Sequence, residues 1–323
     1  MKKKINIGHH IVLLLLAVFW VIMFALNANF RVGDNLSSIL REASTTGIAA
    51  LGMTLIIIMG DFDLSIGSML AFLGMILAGC INSMGLLPAI LITCIAGLIC
   101  GLLNGVIVSY FNVPAFITTL GTYYSFRALA YIVNDANTII CTNSTFLKLG
   151  NGTAGVIPIP FIMFLVLAVI AAVLLNRTVY GRNVRALGNS QKACKVSGIN
   201  TKLVKCIAFG LMGLCTAIST MIMTSRQACA SPDVAANFHF DAITMVVLGG
   251  TKMTGGEGSI FNTVVAAVLY ASVVNCLNLY HVDAKWQRIC MGMILLIAFS
   301  FDFIQKMIAK IRDNSKKKTM QKA

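Results

Sequence analysis

Charge is what this chain has least of. Only 11% of its 323 residues are Asp, Glu, Lys or Arg, while 58% are hydrophobic, and a soluble domain carries about 25% charged residues. That excludes a globular surface facing water on all sides, so lipid is the solvent this sequence asks for. Hydrocarbon offers no water to backbone N–H and C=O groups, and the long apolar runs lack the alternation of barrel strands, so the spanning segments are expected to be helices.

Other absences narrow the function. The ten cysteines lie singly, mostly inside apolar runs, with no CxxC pair, so they read as small buried hydrophobes rather than disulfide or metal ligands. The four histidines, at 9, 10, 239 and 281, fall at segment ends without metal-ligand spacing. No G-x-x-x-x-G-K-[ST] phosphate loop is present, since Gly250 to Gly255 has the glycine spacing but Gly256 follows where Lys is required. No catalytic residue, metal or cofactor is expected, and nucleotide energy would have to come from another chain. The N-terminal apolar run lacks a small-residue cleavage site and reads as a retained span.

What charge there is has a pattern. The net charge is +14, and 17 of 25 basic residues fall in Lys2–Lys4, in the loop Arg177–Lys205, which has no acidic residue, and in the tail Lys306–Lys322. That distribution belongs to cytoplasmic loops rather than to a nucleic-acid surface, and it puts both termini on the cytoplasmic side of the cell membrane. An even number of crossings follows. Apolar runs at about 10–29, 43–60, 64–82, 86–111, 114–133, 158–176, 203–224, 241–251, 260–280 and 286–304 give about ten segments. The run 241–251 is too short to span and reads as half of a broken helix, with eight full crossings plus irregular pieces as the alternative. The expected fold is an all-α polytopic transmembrane helical bundle. Gly97, Gly101 and Gly105 recur every four residues, a stripe that permits close helix packing within or between subunits.

Two glycine-interrupted stretches resemble each other. Thr54-Leu-Ile-Ile-Ile-Met-Gly60 is followed by Asp61 and Asp63 and then Gly67-Ser68, and Thr244-Met-Val-Val-Leu-Gly-Gly250 by Glu257 and then Gly258-Ser259. A weak internal repeat of this kind marks transporters with duplicated, discontinuous helices whose broken ends hold solute. The bland alternative has equal weight: Asp61 or Asp63 simply caps the next helix. Arg127 lies inside an apolar run, where an unpaired charge costs about 2.5–3.5 kcal/mol even on the lenient scale. An ion pair with Asp61, Asp63 or Glu257 is the expected relief.

Four stretches in order, Gly60-Asp-Phe-Asp-Leu-Ser-Ile-Gly67, Asn112-Val-Pro-Ala-Phe-Ile-Thr-Thr-Leu-Gly121, Asn189-Ser-Gln-Lys-Ala-Cys-Lys-Val-Ser-Gly-Ile199 and Asp241-Ala-Ile-Thr-Met-Val-Val-Leu-Gly-Gly-Thr251, resemble the permease subunit of ribose-type ATP-binding-cassette (ABC) sugar importers over nearly the whole chain. The chain departs from the family pattern at Asp61-Phe62 for Gly-Ile, Cys194 for the second Ala, His239 for Glu and Cys276 for Gly. The resemblance implies one permease domain, with a first half at 10–176, a cytoplasmic coupling loop at 177–202, a second half at 203–304 and a basic tail at 305–323. It implies monosaccharide import (ribose, xylose or galactose) by two permease copies, identical or paralogous, with a cytoplasmic ATPase and an external sugar-binding protein. Asn189, Ala193, Cys194, Ser197, Gly198 and Ile199 would then seat the ATPase, although basic-loop charge alone accounts for Arg177, Arg182, Arg185 and Lys202. Pathway candidates are Asp61, Asp63, Ser65, Asn104, Phe116, Arg127, Asp241, Glu257 and Asn275. The rivals are an ion-coupled secondary transporter using Asp61, Asp63, Glu257 and Arg127 as a relay, and an ABC permease for a nucleoside or autoinducer.

Overall fold

In the computed structural model residues 8–300 are described. The tail at 305–323, the Lys2–Lys4 cluster and the last residues of the run 286–304 lie outside them. The helices, in order, are α1 Gly8–Leu26, α2 Gly33–Ile58, α3 Ile66–Met84, α4 Leu86–Tyr110, α5 Ala115–Ile132, α6 Ser144–Asn151, α7 Ile159–Arg177, α8 Val179–Asn189, α9 Gln191–Val196, α10 Thr201–Gln227, α11 Phe238–Leu248 and α12 Ile260–Leu279. A last helix, α13, covers 284–300. Two small antiparallel pairings complete the chain: β1 (Ile139–Ile140) with β4 (Cys229–Ala230), and the hairpin β2 (Thr153–Ala154) with β3 (Ile157–Pro158).

The all-α class therefore holds, and the apolar runs lie mainly on helices as far as the described residues reach. Among the described residues five helices, α3, α4, α7, α10 and α12, are both long and apolar enough to cross a bilayer. The expected ten crossings go beyond that number. Helix α11, drawn from the short run 241–251, has 11 residues, about 16 Å, or roughly half of the ~30 Å hydrocarbon layer.

Helix α2 is the hub, buried almost without interruption from Ala43 to Ile58. Helices α7, α10, α11 and α12 pack around it, and the main core joins Ile48 to Met59 with Phe164, Phe209, Met212, Met245 and Ala267. The glycine stripe of α4 faces α10 within the subunit. A β-carbon at Gly101 would stand 2.2 Å from the Phe209 carbonyl oxygen, and one at Gly97 2.6 Å from that of Gly213. The two backbones touch, which only residues without a side chain allow. The cysteines are free, and among the described residues all ten are buried or half-buried.

Polar side chains fix where helices begin. Asn143, Thr178, Ser190, Asn200 and Ser259 each accept a hydrogen bond from a backbone N–H of the turn they precede. Helices α2 and α11 end alike. Gly60 N–H donates to Ile57 O and Asp61 N–H to Ile56 O, and Gly250 N–H donates to Val247 O and Thr251 N–H to Val246 O. This is the two-bond cap with a left-handed residue just past the helix, and it is what the two similar sequence stretches encode locally. The loops beyond differ in length, five residues before α3 and nine between Gly250 and α12.

Candidate translocation and coupling site

The basic loop folds into α8 and α9, joined through the extended residue Ser190. In α8, Gly181, Val184 and Leu187 are buried while Arg182 is exposed. At its end Gly188 sits in a joint made by two other segments. A β-carbon there would lie 1.9 Å from the carbonyl oxygen of Ile58 and 2.4 Å from the amide nitrogen of Gly256. Those two atoms are bonded to each other, Gly256 N–H donating to Ile58 O at 2.8 Å. The side chain of Asn189 lies against Gly256, within 2.3 Å of where its β-carbon would be. The ends of α2, of α8 and of the loop after α11 therefore converge on one spot. Gly188 and Ile58 carry no motif that composition would pick out, and the sequence reading missed both.

Beyond the joint, α9 is anchored by one buried side chain and is otherwise exposed. Cys194 is buried, Ala193, Ser197 and Gly198 are exposed, and Val196 is 91% exposed. Helix α9 closes with Gly198 N–H donating to Lys195 O and Ile199 N–H to Cys194 O. Gly198 has φ +75°, a conformation that costs any residue with a β-carbon, and Ile199 folds back beside Cys194, the usual apolar contact of this cap. The glycine and the Cys/Ile pair thus shape the arm. What they leave projecting is the apolar side chain of Val196, next to Lys195.

The carboxylates of the α2–α3 loop separate in role. Asp61 pairs with Lys205 on α10, Oδ2 to Nζ 2.7 Å. Asp63 is fully buried; its Oδ1 accepts from Ser65 N–H at 2.9 Å and from Ser65 Oγ at 2.6 Å. Ser65 Oγ in turn accepts from Asn104 Nδ2 on α4 at 2.9 Å. Asp63, Ser65 and Asn104, three of the sequence candidates, form one buried network that ties the start of α3 to α4.

Other candidates lie elsewhere. Asp241 accepts from Tyr270 Oη at 2.5 Å, Asn275 donates to Asn35 at 2.7 Å, and Glu257 pairs with Lys252 at the exposed loop after α11, 2.7 Å apart. Phe116 is exposed on the first turn of α5.

The expected ion pair of Arg127 is not formed. Asp61 and Glu257 have other cations, and Asp63 has none. Arg127 Nη1 donates to two carbonyl oxygens, of Pro232 and of Val234, the latter at 2.9 Å. Its neighbours on the same face of α5 do the same work: Tyr123 Oη donates to Ala236 O at 3.3 Å, and Tyr131 Oη to the Asp233 carboxylate. Residues 123, 127 and 131, spaced i, i+4, i+8, form a row of donors. The row holds the non-helical segment between β4 and α11, whose carbonyls turned toward α5 find their partners there. Sequence alone shows Arg127 but not its acceptors, because backbone oxygens carry no residue label.

Comparison with known proteins places this architecture. Residues 35–299 match the family described as the permease component of branched-chain amino acid transport systems. The chain belongs to that family. Family members are membrane subunits of transporters, and this chain is one, not an enzyme. It is 37% identical to a ribose import permease of Bacillus subtilis (strain 168), over 89% of this chain and 90% of that one. It is 31% identical to a xylose transport system permease of Haemophilus influenzae, over 94% and 98%. It is 32% identical to an L-arabinose transport system permease of Escherichia coli K12, over 90% and 89%. No solved structure matches the chain.

Proposed function

We propose that the chain is the permease subunit of an ABC importer for a monosaccharide of the ribose, xylose and galactose class. It works as two copies around a shared pathway, with two cytoplasmic ATPase domains and an external sugar-binding protein. The ribose, xylose and arabinose named for its relatives favour a pentose. The basic end of the bundle, with α8 and α9, faces the cytoplasm by the charge rule, as do both termini, with ten segments in all.

The observation that carries the mechanism is the seat of α8 at Gly188. A rigid arm with an exposed Val196 is held by backbone contact to Ile58 of α2 and to Gly256 of the loop leading into α12. ATP binding closes the ATPase pair and draws the two arms together. The joint passes that displacement to α2 and α12, and the pathway turns outward to receive sugar from the binding protein. Hydrolysis resets it. Asn189, Ala193, Cys194, Ser197, Gly198 and Ile199 act by holding the arm's shape as much as by touching the ATPase.

The test is uptake of labelled pentoses and hexoses by vesicles holding this chain, with and without a co-expressed ATPase and binding protein. Uptake is expected only with ATP and both partners. The variant Val196→Asp, whose side chain touches little of its own subunit, is expected to cut uptake at least about tenfold while the protein stays in the membrane, since a charge left in an apolar docking socket is costly. Uptake by the lone chain along a sodium or proton gradient would overturn the reading in favour of a secondary transporter.

A further inference from the structure

Residues 228–237, between α10 and α11, follow no helix, yet they run beside α3, one of the helices long and apolar enough to span. A β-carbon at Gly74, midway along α3, would lie 3.7 Å from Ala230, and one at Gly67, in its first turn, 2.5 Å from Ala235 O and 3.4 Å from His239 Nδ1. The segment thus lies at membrane depth over about half of α3. Irregular backbone at that depth survives only where protein covers it or water fills a cavity beside it. Here one side is covered by α3 and by the donor row of α5, and the other is open. Asp233, Asn237 and Phe240 are exposed on the segment and the start of α11. On α5, Tyr131 is bonded to Asp233, and Phe116, Tyr124 and Tyr131 are exposed, Tyr124 at 67%. Two buried polar atoms of the same cluster, Arg127 Nη2 and His239 Nδ1, have no hydrogen-bond partner.

Lipid cannot be what covers this face: it would meet a carboxylate, an amide and unhelical backbone. A second copy packed tightly against it would bury the same groups. We infer that this face lines a water-filled solute pathway, with Phe116, Tyr124, Tyr131, Asp233, Asn237 and Phe240 along its wall. The inference rests on the transporter reading above and gives it a location. The chemistry fits a neutral polyhydroxylated solute: aromatic rings cover C–H faces while a carboxylate, an amide and a phenol exchange hydrogen bonds with hydroxyls. The network at Asp63, fully buried, is then scaffold rather than wall.

Thiol accessibility tests it in the assembled transporter. Tyr124→Cys and Asn237→Cys, with Val169→Cys as the control because it sits on an exposed and wholly apolar face of α7 beside Val166, Ile170 and Val173, are treated in vesicles with a charged, membrane-impermeant methanethiosulfonate, the unsubstituted chain giving the background of its native cysteines. Only the thiolate reacts, and it does not form in hydrocarbon, so the two pathway positions are expected to label roughly tenfold or more faster than the control. Ribose-loaded binding protein is expected to slow that labelling. Labelling as slow as at Val169→Cys overturns the inference, and slow labelling together with disulfide formation between copies at Asn237→Cys reassigns the face to a packed subunit interface. Fast labelling without ATP-dependent sugar uptake would leave the pathway standing and refute the importer. Slow labelling with normal uptake would refute the pathway alone.

Discussion

At the scale of single residues, the two carboxylates between α2 and α3 meet opposite fates. Asp61 has a cation, whereas Asp63 has hydroxyl and amide neighbours and no solvent. Its Oδ2 and the Oδ1 of Asn104 both lack a donor, although both side chains converge on the Ser65 hydroxyl. An isosteric Asp63→Asn substitution removes a buried charge and brings an N–H to a site with an orphan acceptor. It is therefore expected to leave the melting temperature of the purified protein unchanged or raised. Asn104→Leu strips Ser65 Oγ of its donor and is expected to cost about 1–3 kcal/mol, the toll of a buried polar group left unpaired. If Asp63→Asn melts as low as Asn104→Leu, Asp63 is required as an anion and this account of the network is wrong.

Elements tell more about what sequence can and cannot reveal. The short run 241–251 announced a half-helix because length is a property of the string. The stripe Gly97, Gly101 and Gly105 announced close packing because period and residue size are too. Arg127 announced only that something must offset its charge. The expectation of an acidic partner failed because a guanidinium is equally well satisfied by carbonyls freed from a helix, and freed carbonyls follow from tertiary structure. Likewise the small-residue pattern of 189–199 reads as a docking surface, yet Gly198, Cys194 and Ile199 owe their identity largely to closing α9. Arg127→Met keeps an unbranched apolar stem and removes the guanidinium that lies over the Tyr123 ring, stranding Pro232 O and Val234 O. A loss of about 1–3 kcal/mol per stranded group is expected, confined to 228–237. Hydrogen exchange of the intact protein should show faster exchange of that segment with α2 and α10 unchanged. Uniform loss of protection would mean that the row supports the whole bundle.

For the whole molecule, the question is how displacement at the basic end reaches the pathway. Two polar connections matter most here among those that join that end to the bundle: the backbone joint of Gly188, Ile58 and Gly256, and the Asp61–Lys205 pair, which ties the α2–α3 loop to α10 with side chains only 16% and 13% exposed. Exposed pairs contribute at most about 1 kcal/mol, and breaking a fully buried one costs about 3–5 kcal/mol because a charge is left without a partner. This pair lies between those limits. Asp61→Asn and Lys205→Met are each expected to lower stability, and the double variant to recover part of the loss, a positive coupling in a double-mutant cycle. The same cycle run on sugar taken up per ATP hydrolysed separates support from transmission. If the pair only holds the bundle together, stability falls and the ratio does not. If it carries the stroke from α10 to the α2–α3 loop, the ratio falls in the double variant even where stability is restored, because a neutral contact holds position without resisting separation. That second result is the one expected, since the loop that Lys205 grips leads directly into α3, against which the segment 228–237 lies.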